Sequence, residues 1–443
     1  MAAPTPTPAP AGSVLCNRCK EQSAITDLRN EQVCKTCFAQ FVFSKTVKRL
    51  EVLQRSTRGG GPRPPPTSTA RPPRYLVAIS GGPSSTALLH ILSENLRLHL
   101  ARGQRPRFEL VAVHVDTASS SLPPSPSSPT PPSRLLTNFR TRFPSTPIHS
   151  LPLSTSLSSP HISWASLPPL NAALPPAQRL ADMLSRLPSA TSRADVTRLL
   201  VRHVLLLAAA ARACDVLMLG YNTTALAELT LAETAKGRGF ALPWLVNDGA
   251  LPVPGDLFTL GLDLGGAGGS SDGGAQTTAA TGVGESPLSS LGNGNPSPSS
   301  IPVYSPLREL FRKELLTYIA NTEPPLTDLV TSLAENATDG STVVSHKDLS
   351  IDDVMARYFA DVEVHYPSVV ANVVRTTGKL TRPEGGGGGD GDGDDWCGIC
   401  GIALDELGDE RWRGEIGEEI GEVEEDARSK RKLCYGCDRS TRA

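Results

Sequence analysis

A glycine turn between an apolar run and a helical pattern has the residue types of a phosphate cradle. Residues 76–90 read LVAISGGPSSTALLH, which predicts a buried strand from Leu76 to Ile79 and a helix beginning near Thr86. Glycine lets the backbone approach an anion, and the free N–H groups at a helix N-terminus point at it. The spacing fits neither G-x-x-x-x-G-K-[ST] nor G-x-G-x-x-G. A tight strand-to-helix connection without a ligand is the alternative interpretation.

This loop resembles the SGG-x-D-S pyrophosphate loop of the ATP-pyrophosphatases that modify tRNA, with Ser84 in place of the aspartate. A second segment, GYNTTALAELT, follows a predicted strand and resembles G-H-N-x-D-D-x-A-E-T of the same enzymes. The positions that match are Gly220, Asn222, Ala227 and Glu228. The positions that differ are Tyr221, which replaces histidine, and Thr224 and Ala225, which replace two acids. Both segments therefore predict one degenerate nucleotide site.

The degenerate nucleotide or phosphate site comprises eight predicted residues: Ser80, Gly81, Gly82, Ser84, Ser85, Asp116, Gly220 and Asn222. Asp116 ends a predicted strand, where a carboxylate reaches a nucleotide or simply closes a turn. Magnesium bound to phosphates prefers hard oxygen ligands such as carboxylates. The serine, threonine and alanine at the replaced acid positions do not supply them. We therefore predict no catalytic residue, and ATP binding is left open.

Cysteines form the second chemical signal. Eight of the nine occur in CxxC pairs: Cys16/Cys19, Cys34/Cys37, Cys397/Cys400 and Cys434/Cys437. Two such pairs can place four thiolates around one zinc ion. Disulfides are the alternative, but MAAPTPTPAPAG has no basic and apolar export signal, and a reducing compartment favours metal. Pairing between opposite ends of the chain stays open. Cys214, the ninth cysteine, is expected to be a small buried hydrophobic residue.

Positive charge is concentrated near the first cysteines. The chain has a net charge of −2, yet residues 16–74 carry twelve Lys or Arg against four Asp or Glu, a local charge of +8. Such a basic module on an acidic body is typical of a contact with nucleic acid. We predict RNA contacts from Lys45, Lys48 and Arg49, on the exposed face of a helix. A solvated basic helix packed on a zinc module is the alternative.

The elements that position these residues alternate between strand and helix. Predicted strands cover 75–79, 109–115, 146–153 and 216–220, and predicted helices cover 86–99, 134–142, 193–213 and 224–235. Continuous apolar strands separated by helices predict an α/β fold with a parallel sheet and helices on both faces. Ligands in such sheets bind beyond the carboxyl ends of the strands. The two motif segments and Asp116 are expected to meet there.

Composition limits the size of this core. The chain has 443 residues, only 39% of them hydrophobic, with 39 Gly and 39 Pro. Tracts rich in Gly, Pro and Ser bury too little apolar surface to fold, and we interpret them as linkers. The predicted organisation is a disordered tail 1–13, a zinc module with a basic helix 14–58, a linker 59–73, the core 74–250 with an insertion 117–133, a low-complexity insertion 251–300, a helical part of the core 301–382, a linker 383–395 and a CxxC module 396–443.

The order of the motifs closely resembles the cytoplasmic tRNA 2-thiolation protein 2 family: CNRCK, CKTCF followed by FVFSKTVKR, SGGPSST, GYNTTALAE, KGRGF at Lys236 and PLRELFRKELLTYI from Pro306. The resemblance covers most of residues 14–116, 192–246 and 301–443. It implies an adenine-nucleotide α-hydrolase-like fold flanked by zinc modules, and a cytoplasmic heterodimer with a catalytic thiolase. It further implies sulfur transfer from a thiocarboxylated ubiquitin-related modifier to wobble uridine 34 of the tRNAs for lysine, glutamate and glutamine.

Three classes of function remain in view. A partner-dependent subunit of a tRNA thiolase fits the loss of acids at both motifs best. A self-sufficient ATP-dependent enzyme and a zinc-containing scaffold without a tRNA role are the alternatives. A membrane protein is not expected, because the most apolar stretch, 196–213, is short and carries charged residues.

Overall fold

The computed structural model of the chain describes residues 14–57, 71–117, 131–253, 300–331, 349–382, 396–402, 404 and 433–442. The predicted tail, most of both insertions and most of both linkers lie outside these residues. The same holds for most of the acidic segment between the last two cysteine pairs.

The described residues form a small hairpin, one large sheet and the helices around them. The strands are β1 Thr26–Leu28, β2 Glu31–Val33, β3 Arg74–Ile79, β4 Glu109–Asp116, β5 Ile148–Pro152, β6 Val216–Met218, β7 Gly249–Pro252 and β8 Ser300–Tyr304. The helices are α1 Lys35–Thr57, α2 Pro83–Ala101, α3 Pro131–Arg142, α4 Pro176–Ser185, α5 Ala190–Ala211, α6 Thr223–Ala235, α7 Leu242–Leu245, α8 Arg312–Asn321, α9 Ile351–His365, α10 Pro367–Thr377 and α11 Tyr435–Thr441.

The large sheet has the strand order β5-β4-β3-β6-β8-β7. Its first five strands are parallel, and β7 closes the edge antiparallel to β8. Parallel strands need crossover connections, which the helices between them provide. The predicted parallel sheet is confirmed.

Each strand feeds two apolar layers because successive side chains point to opposite faces. In β3, Tyr75, Val77 and Ile79 join the layer that contains α1, α2, α3 and α8. Leu76 joins the opposite layer, which contains α4, α5 and the C-terminal cysteines. Helices therefore cover both faces, as predicted.

Two expectations about elements need correction, and one helix was missed. Residues 301–382 were expected to be helical, but the segment begins with β8, which lies between β6 and β7. Its sequence SIPVY is short and contains a proline, and proline in a run is a poor sign of an inner strand. Helix α2 begins at Pro83 rather than near Thr86, because proline suits the first helical position, where no N–H is needed. Helix α4 was not predicted.

The N-terminal hairpin and α1 pack directly on the core. Phe38 and Val42 of α1 lie in the same apolar layer as α2 and α8. Arg49 of α1 also forms an ion pair of 2.5 Å with Asp248, next to the edge strand β7. Within the described ranges, none of the helices combines the length and hydropathy that a membrane span requires.

Candidate functional site

The predicted phosphate loop connects β3 to α2 at the carboxyl edge of the sheet. Gly81 has a φ of +76°, a left-handed conformation that favours glycine. The Ser85 hydroxyl accepts a hydrogen bond of 3.3 Å from the Ser80 N–H and donates one of 3.1 Å to the Gly82 carbonyl. The loop is therefore held by its own serines.

The second motif meets this loop, as predicted. A Cβ atom on Gly220 would lie 2.8 Å from the backbone nitrogen of Ser85, so only glycine allows the two segments to come this close. The Asn222 side chain accepts a hydrogen bond of 2.8 Å from the Ala225 N–H and thereby caps α6. Its amide nitrogen donates one of 2.7 Å to the Ser84 hydroxyl. Asp116 ends the neighbouring strand at the same edge.

The positions that have lost their acids take part in structural contacts. Ser84 accepts from Asn222, and Thr224 donates its hydroxyl hydrogen to the carboxylate of Glu363, a buried residue of α9. The other oxygen of Glu363 accepts a hydrogen bond of 2.8 Å from the Lys313 N–H at the start of α8. Glu363 lies 139 positions from Thr224 in the chain, so sequence spacing gave no sign of this carboxylate.

The loop has few donors left for an anion. Pro83 has no N–H, and the Gly82 N–H donates a hydrogen bond of 3.3 Å to the Ser80 hydroxyl. The Gly81 carbonyl accepts a hydrogen bond of 3.1 Å from the Thr331 N–H. By helix geometry, the Ser84 and Ser85 N–H groups are those at the start of α2 without an intrahelical acceptor. The residues predicted for the nucleotide site thus lie together, but their loop offers only a few free N–H groups to an anion.

The N-terminal cysteines converge on one point. The sulfur atoms of Cys16, Cys19, Cys34 and Cys37 all lie within 4.8 Å of one another. Four thiolates around zinc, each about 2.3 Å from the ion, are separated by roughly 3.8 Å, so the geometry fits a tetrahedral metal. Burial raises the pKa of the Cys16 thiol, but N–H groups of Cys19, Cys34 and Arg18 outweigh it and lower the pKa to about 6.

The C-terminal cysteines also close on themselves, which resolves the open question of pairing. The sulfurs of Cys397, Cys400, Cys434 and Cys437 lie within 4.8 Å of one another, and all four residues are buried. The His203 ring nitrogen Nε2 donates a hydrogen bond of 2.8 Å to the Ile399 carbonyl, and Arg202 donates to the Cys400 carbonyl. Helix α5 therefore holds this group inside the apolar layer.

All nine cysteines belong to the described residues, and none forms a disulfide. Cys214 is buried, as predicted, and burial raises the pKa of its thiol to about 11. A protonated thiol is a weak nucleophile, so Cys214 behaves as a small hydrophobic residue.

The three predicted RNA-binding residues differ in exposure, contrary to the expectation of one exposed face. Lys48 is exposed, whereas Lys45 and Arg49 are half-buried in ion pairs. Lys45 lies 3.0 Å from the Glu309 carboxylate, and Arg49 contacts Asp248. Helix α1 packs against the core along this side, so Lys45 and Arg49 meet carboxylates of the core while Lys48 faces solvent.

These residues nevertheless line one cleft. It has a volume of about 620 Å³, and its charged lining consists of Arg18, Lys45, Lys48, Arg49 and Glu309. Phe41 forms its aromatic wall, with the Arg18 guanidinium 5.2 Å from the ring centroid. A second cavity of about 1700 Å³ shares Thr36 and Gln40 with it. Its charged lining consists of six cations, Lys35, Arg74, Arg97, Arg102, Arg142 and Arg212, and three carboxylates, Glu94, Glu109 and Glu323. Three of the cations are paired with these carboxylates.

Comparison with known proteins gives a consistent result. The family described as cytoplasmic tRNA 2-thiolation protein 2 matches residues 350–439. The curated protein of that name from Phaeosphaeria nodorum is 33% identical, over 97% of this chain and 95% of its own length. The one from Pyrenophora tritici-repentis is 32% identical, over 96% and 94%.

Among solved structures, the chain is similar to the U34-tRNA thiolase NcsA from Methanococcus maripaludis with its [4Fe-4S] cluster. The identity is 15% and the TM-score 0.47, with 93% of this chain and 98% of that chain covered.

Proposed function

The chain belongs to the cytoplasmic tRNA 2-thiolation protein 2 family, and on that ground we propose that it takes part in 2-thiolation of wobble uridine 34 in cytoplasmic tRNA. Its role is that of a required subunit in a heterodimer with a catalytic thiolase. The sulfur comes from a thiocarboxylated ubiquitin-related modifier, and the substrates are the tRNAs for lysine, glutamate and glutamine.

The observation that carries the partner-dependent role is the use of the former acid positions for packing. Ser84 is engaged by Asn222, and Thr224 by Glu363. A hydroxyl group held in this way is a poor substitute for a magnesium-binding carboxylate. The architecture of a nucleotide enzyme is retained, while the charges that activate a polyphosphate are replaced.

Reconstitution tests this role. We expect the purified chain alone to convert no ATP to AMP and pyrophosphate, and to thiolate no tRNA. Co-purified with its catalytic partner, it should support 2-thiolation that the partner alone does not perform. Product formation by the chain without a partner would favour the self-sufficient enzyme.

Contact with tRNA is assigned to the cleft beside α1. Its lining has four cations and one carboxylate, and a polyanion gains affinity there by releasing counterions. The adjoining cavity adds six cations against three carboxylates, so Arg102, Arg142 and Arg212 leave an excess of positive charge there. A scaffold without a tRNA role would not bind RNA at this cleft.

Each cysteine group is proposed to hold one zinc ion in a structural role. Four sulfurs at tetrahedral spacing and the absence of a disulfide among them support a closed site. Elemental analysis of the full chain should give two zinc ions per molecule. Changing Cys34 to Ser, or separately Cys434 to Ser, should remove one ion each, whereas iron with a visible absorption band would contradict zinc.

A further inference from the structure

Arg238, in the KGRGF turn after α6, is fully buried and uses three nitrogen atoms in three directions. Its Nε donates a hydrogen bond of 2.7 Å to Glu233, and one terminal nitrogen donates to Asp195. The other terminal nitrogen, Nη1, points at the sulfur of Cys437 from 3.7 Å. Two carboxylates thus fix the guanidinium so that its third edge faces a cysteine of the C-terminal group.

The C-terminal group has two knuckles, the CxxC segments Cys397–Cys400 and Cys434–Cys437. The KGRGF turn and the second knuckle fit together only because each contributes a glycine. A Cβ atom on Gly436 would lie 2.5 Å from Cγ of Arg238 and 2.7 Å from the Lys236 carbonyl oxygen. A Cβ atom on Gly237, whose φ is +83°, would lie 2.4 Å from the Tyr435 ring. The contact between Arg238 and the knuckle is therefore built by the backbone on both sides.

Charge in this cluster leaves a positive excess beside the cysteines. Four cations, Arg198, Arg202, Lys236 and Arg238, lie among three carboxylates, Asp195, Glu233 and Asp352. Arg202 and Arg238 are the two cations that contact the knuckles. A divalent metal with four thiolates carries a net charge of about −2, which complements this excess.

We propose that Arg238 is a positioning residue of the C-terminal metal centre, where its N–H···S hydrogen bond orients the Cys437 thiolate and slows loss of the ion. The inference rests on the proposed zinc occupancy. A hydrogen bond from a fixed cation stabilises the charge on the sulfur and holds the second knuckle in the ligating position. The first knuckle is held by α5, whose Arg202 and His203 side chains donate hydrogen bonds to the backbone carbonyls of Cys400 and Ile399 and not to a sulfur.

The test compares Arg238→Gln with Arg198→Gln in the zinc-loaded full chain. Arg198 contacts the same two carboxylates, at 3.1 Å from Asp195 and 2.5 Å from Glu233, and serves as the matched control. Transfer of zinc to a chromogenic chelator should be about tenfold faster for Arg238→Gln than for the wild type, as for other residues that support metal ligands. Arg198→Gln should release zinc at the wild-type rate.

Cobalt substitution supplies a readout that a purely structural role would leave unchanged. Loss of a hydrogen bond to sulfur raises the energy of the thiolate electrons, so the sulfur-to-cobalt absorption of Arg238→Gln should shift to longer wavelength. A difference spectrum against the wild type cancels the N-terminal site, which Arg238 does not contact. Arg238→Lys, which keeps the buried positive charge, repeats both measurements if the glutamine variant does not fold.

Equal release rates and equal spectra for Arg238→Gln or Arg238→Lys and the wild type would overturn the inference. Equally fast release from Arg198→Gln would also overturn it, because the ion network alone would then hold the metal. One zinc ion per molecule in both the wild type and Cys434→Ser would instead contradict the proposed C-terminal zinc. This result is distinct from the two that overturn the role of Arg238.

Discussion

Gly220 has room for a hydrogen atom on its α-carbon and for nothing larger. The backbone nitrogen and α-carbon of Ser85 lie 2.8 and 2.9 Å from the position that a Cβ would take, and neither belongs to a side chain that can move away. Gly239 has no atom within 4 Å of the corresponding position. Gly220 and Gly239 therefore allow a matched comparison of the same substitution at a crowded and at an open position.

Gly220→Ala should lower the free energy of unfolding by about 1–3 kcal/mol, the usual cost of forcing an extra carbon into a packed site. Gly239→Ala should stay within about 0.5 kcal/mol of the wild type. Urea unfolding followed by circular dichroism measures both. Similar values for the two variants would mean that the β6 and α2 segments have more freedom than their spacing indicates.

His90 gives the molecule a sensitivity to acid. Its Nδ1 lies 2.9 Å from the Tyr318 hydroxyl, and burial together with the nearby Arg142 lowers the pKa of His90 to about 4, against the opposing effect of Glu94. The unfolded chain takes up a proton below about pH 6.5, whereas the folded chain resists it down to about pH 4. The contribution of neutral His90 to the free energy of unfolding is therefore complete above pH 6.5 and is lost as the pH falls toward 4.

His90→Gln should therefore reduce the loss of unfolding free energy between pH 7 and pH 5 by about 1–2 kcal/mol. His365→Gln, at a histidine whose side chain is 60% exposed, is the control and should leave that loss unchanged. Denaturant titrations at the two pH values give the comparison. An identical loss for wild type and His90→Gln would argue against the neutral, buried state of this histidine.

At the scale of elements, the two cysteine groups are attached to the fold differently. The N-terminal group joins the β1–β2 hairpin to the start of α1, and Arg29 of the hairpin turn reaches Glu314 of α8 at 2.7 Å. The C-terminal group is enclosed by α5 and the KGRGF turn. Loss of the proposed zinc ion should therefore destabilise different elements in the two cases.

We expect Cys34→Ser to increase amide exchange mainly in residues 14–37, because the hairpin is short and loses its cross-link. Cys434→Ser should increase exchange in α5 and in residues 236–240 as well. Hydrogen–deuterium exchange measured by mass spectrometry separates the two patterns. Exchange confined to residues 396–402 and 433–442 in Cys434→Ser would contradict the enclosed position of this group.

The elements also show how far the sequence predicts the fold. Apolar runs predicted β3, β4 and β6, because buried parallel strands carry a strong local signal. The edge formed by β7 and β8 carries no such signal, since GALP and SIPVY are short and contain proline. The meeting of Gly220 with Ser85 followed from two motifs, whereas Glu363 and Arg238 act over more than a hundred positions and left no spacing to recognise.

Across the molecule, the separation of charge is the basis for the RNA contact that we propose. The chain is slightly acidic overall, with a net charge of −2, while the cleft beside α1 has an excess of cations. Lys48 is the exposed residue of the three first predicted, whereas Arg49 is tied to Asp248 and supports the fold. A test of RNA binding should therefore change Lys48.

Lys48→Glu should weaken tRNA binding and lower the slope of log affinity against log salt by about one, as expected for one lost phosphate contact. Arg193→Glu reverses an exposed charge on α5, on the opposite face of the sheet, and should leave both quantities unchanged. Filter binding at several salt concentrations gives both quantities. Equal affinities and slopes for Lys48→Glu and the wild type would support the alternative, in which α1 is a solvated basic helix that does not contact RNA.

The contact between Arg238 and Cys437 has a consequence for biosynthesis. The two residues are 199 positions apart, so a ribosome makes the KGRGF turn well before the knuckle that covers it. At roughly 5–20 residues per second, this interval lasts about 10–40 s. During that time the nascent chain exposes an incomplete apolar layer with buried-type charges, to which a chaperone or the proposed partner subunit can bind.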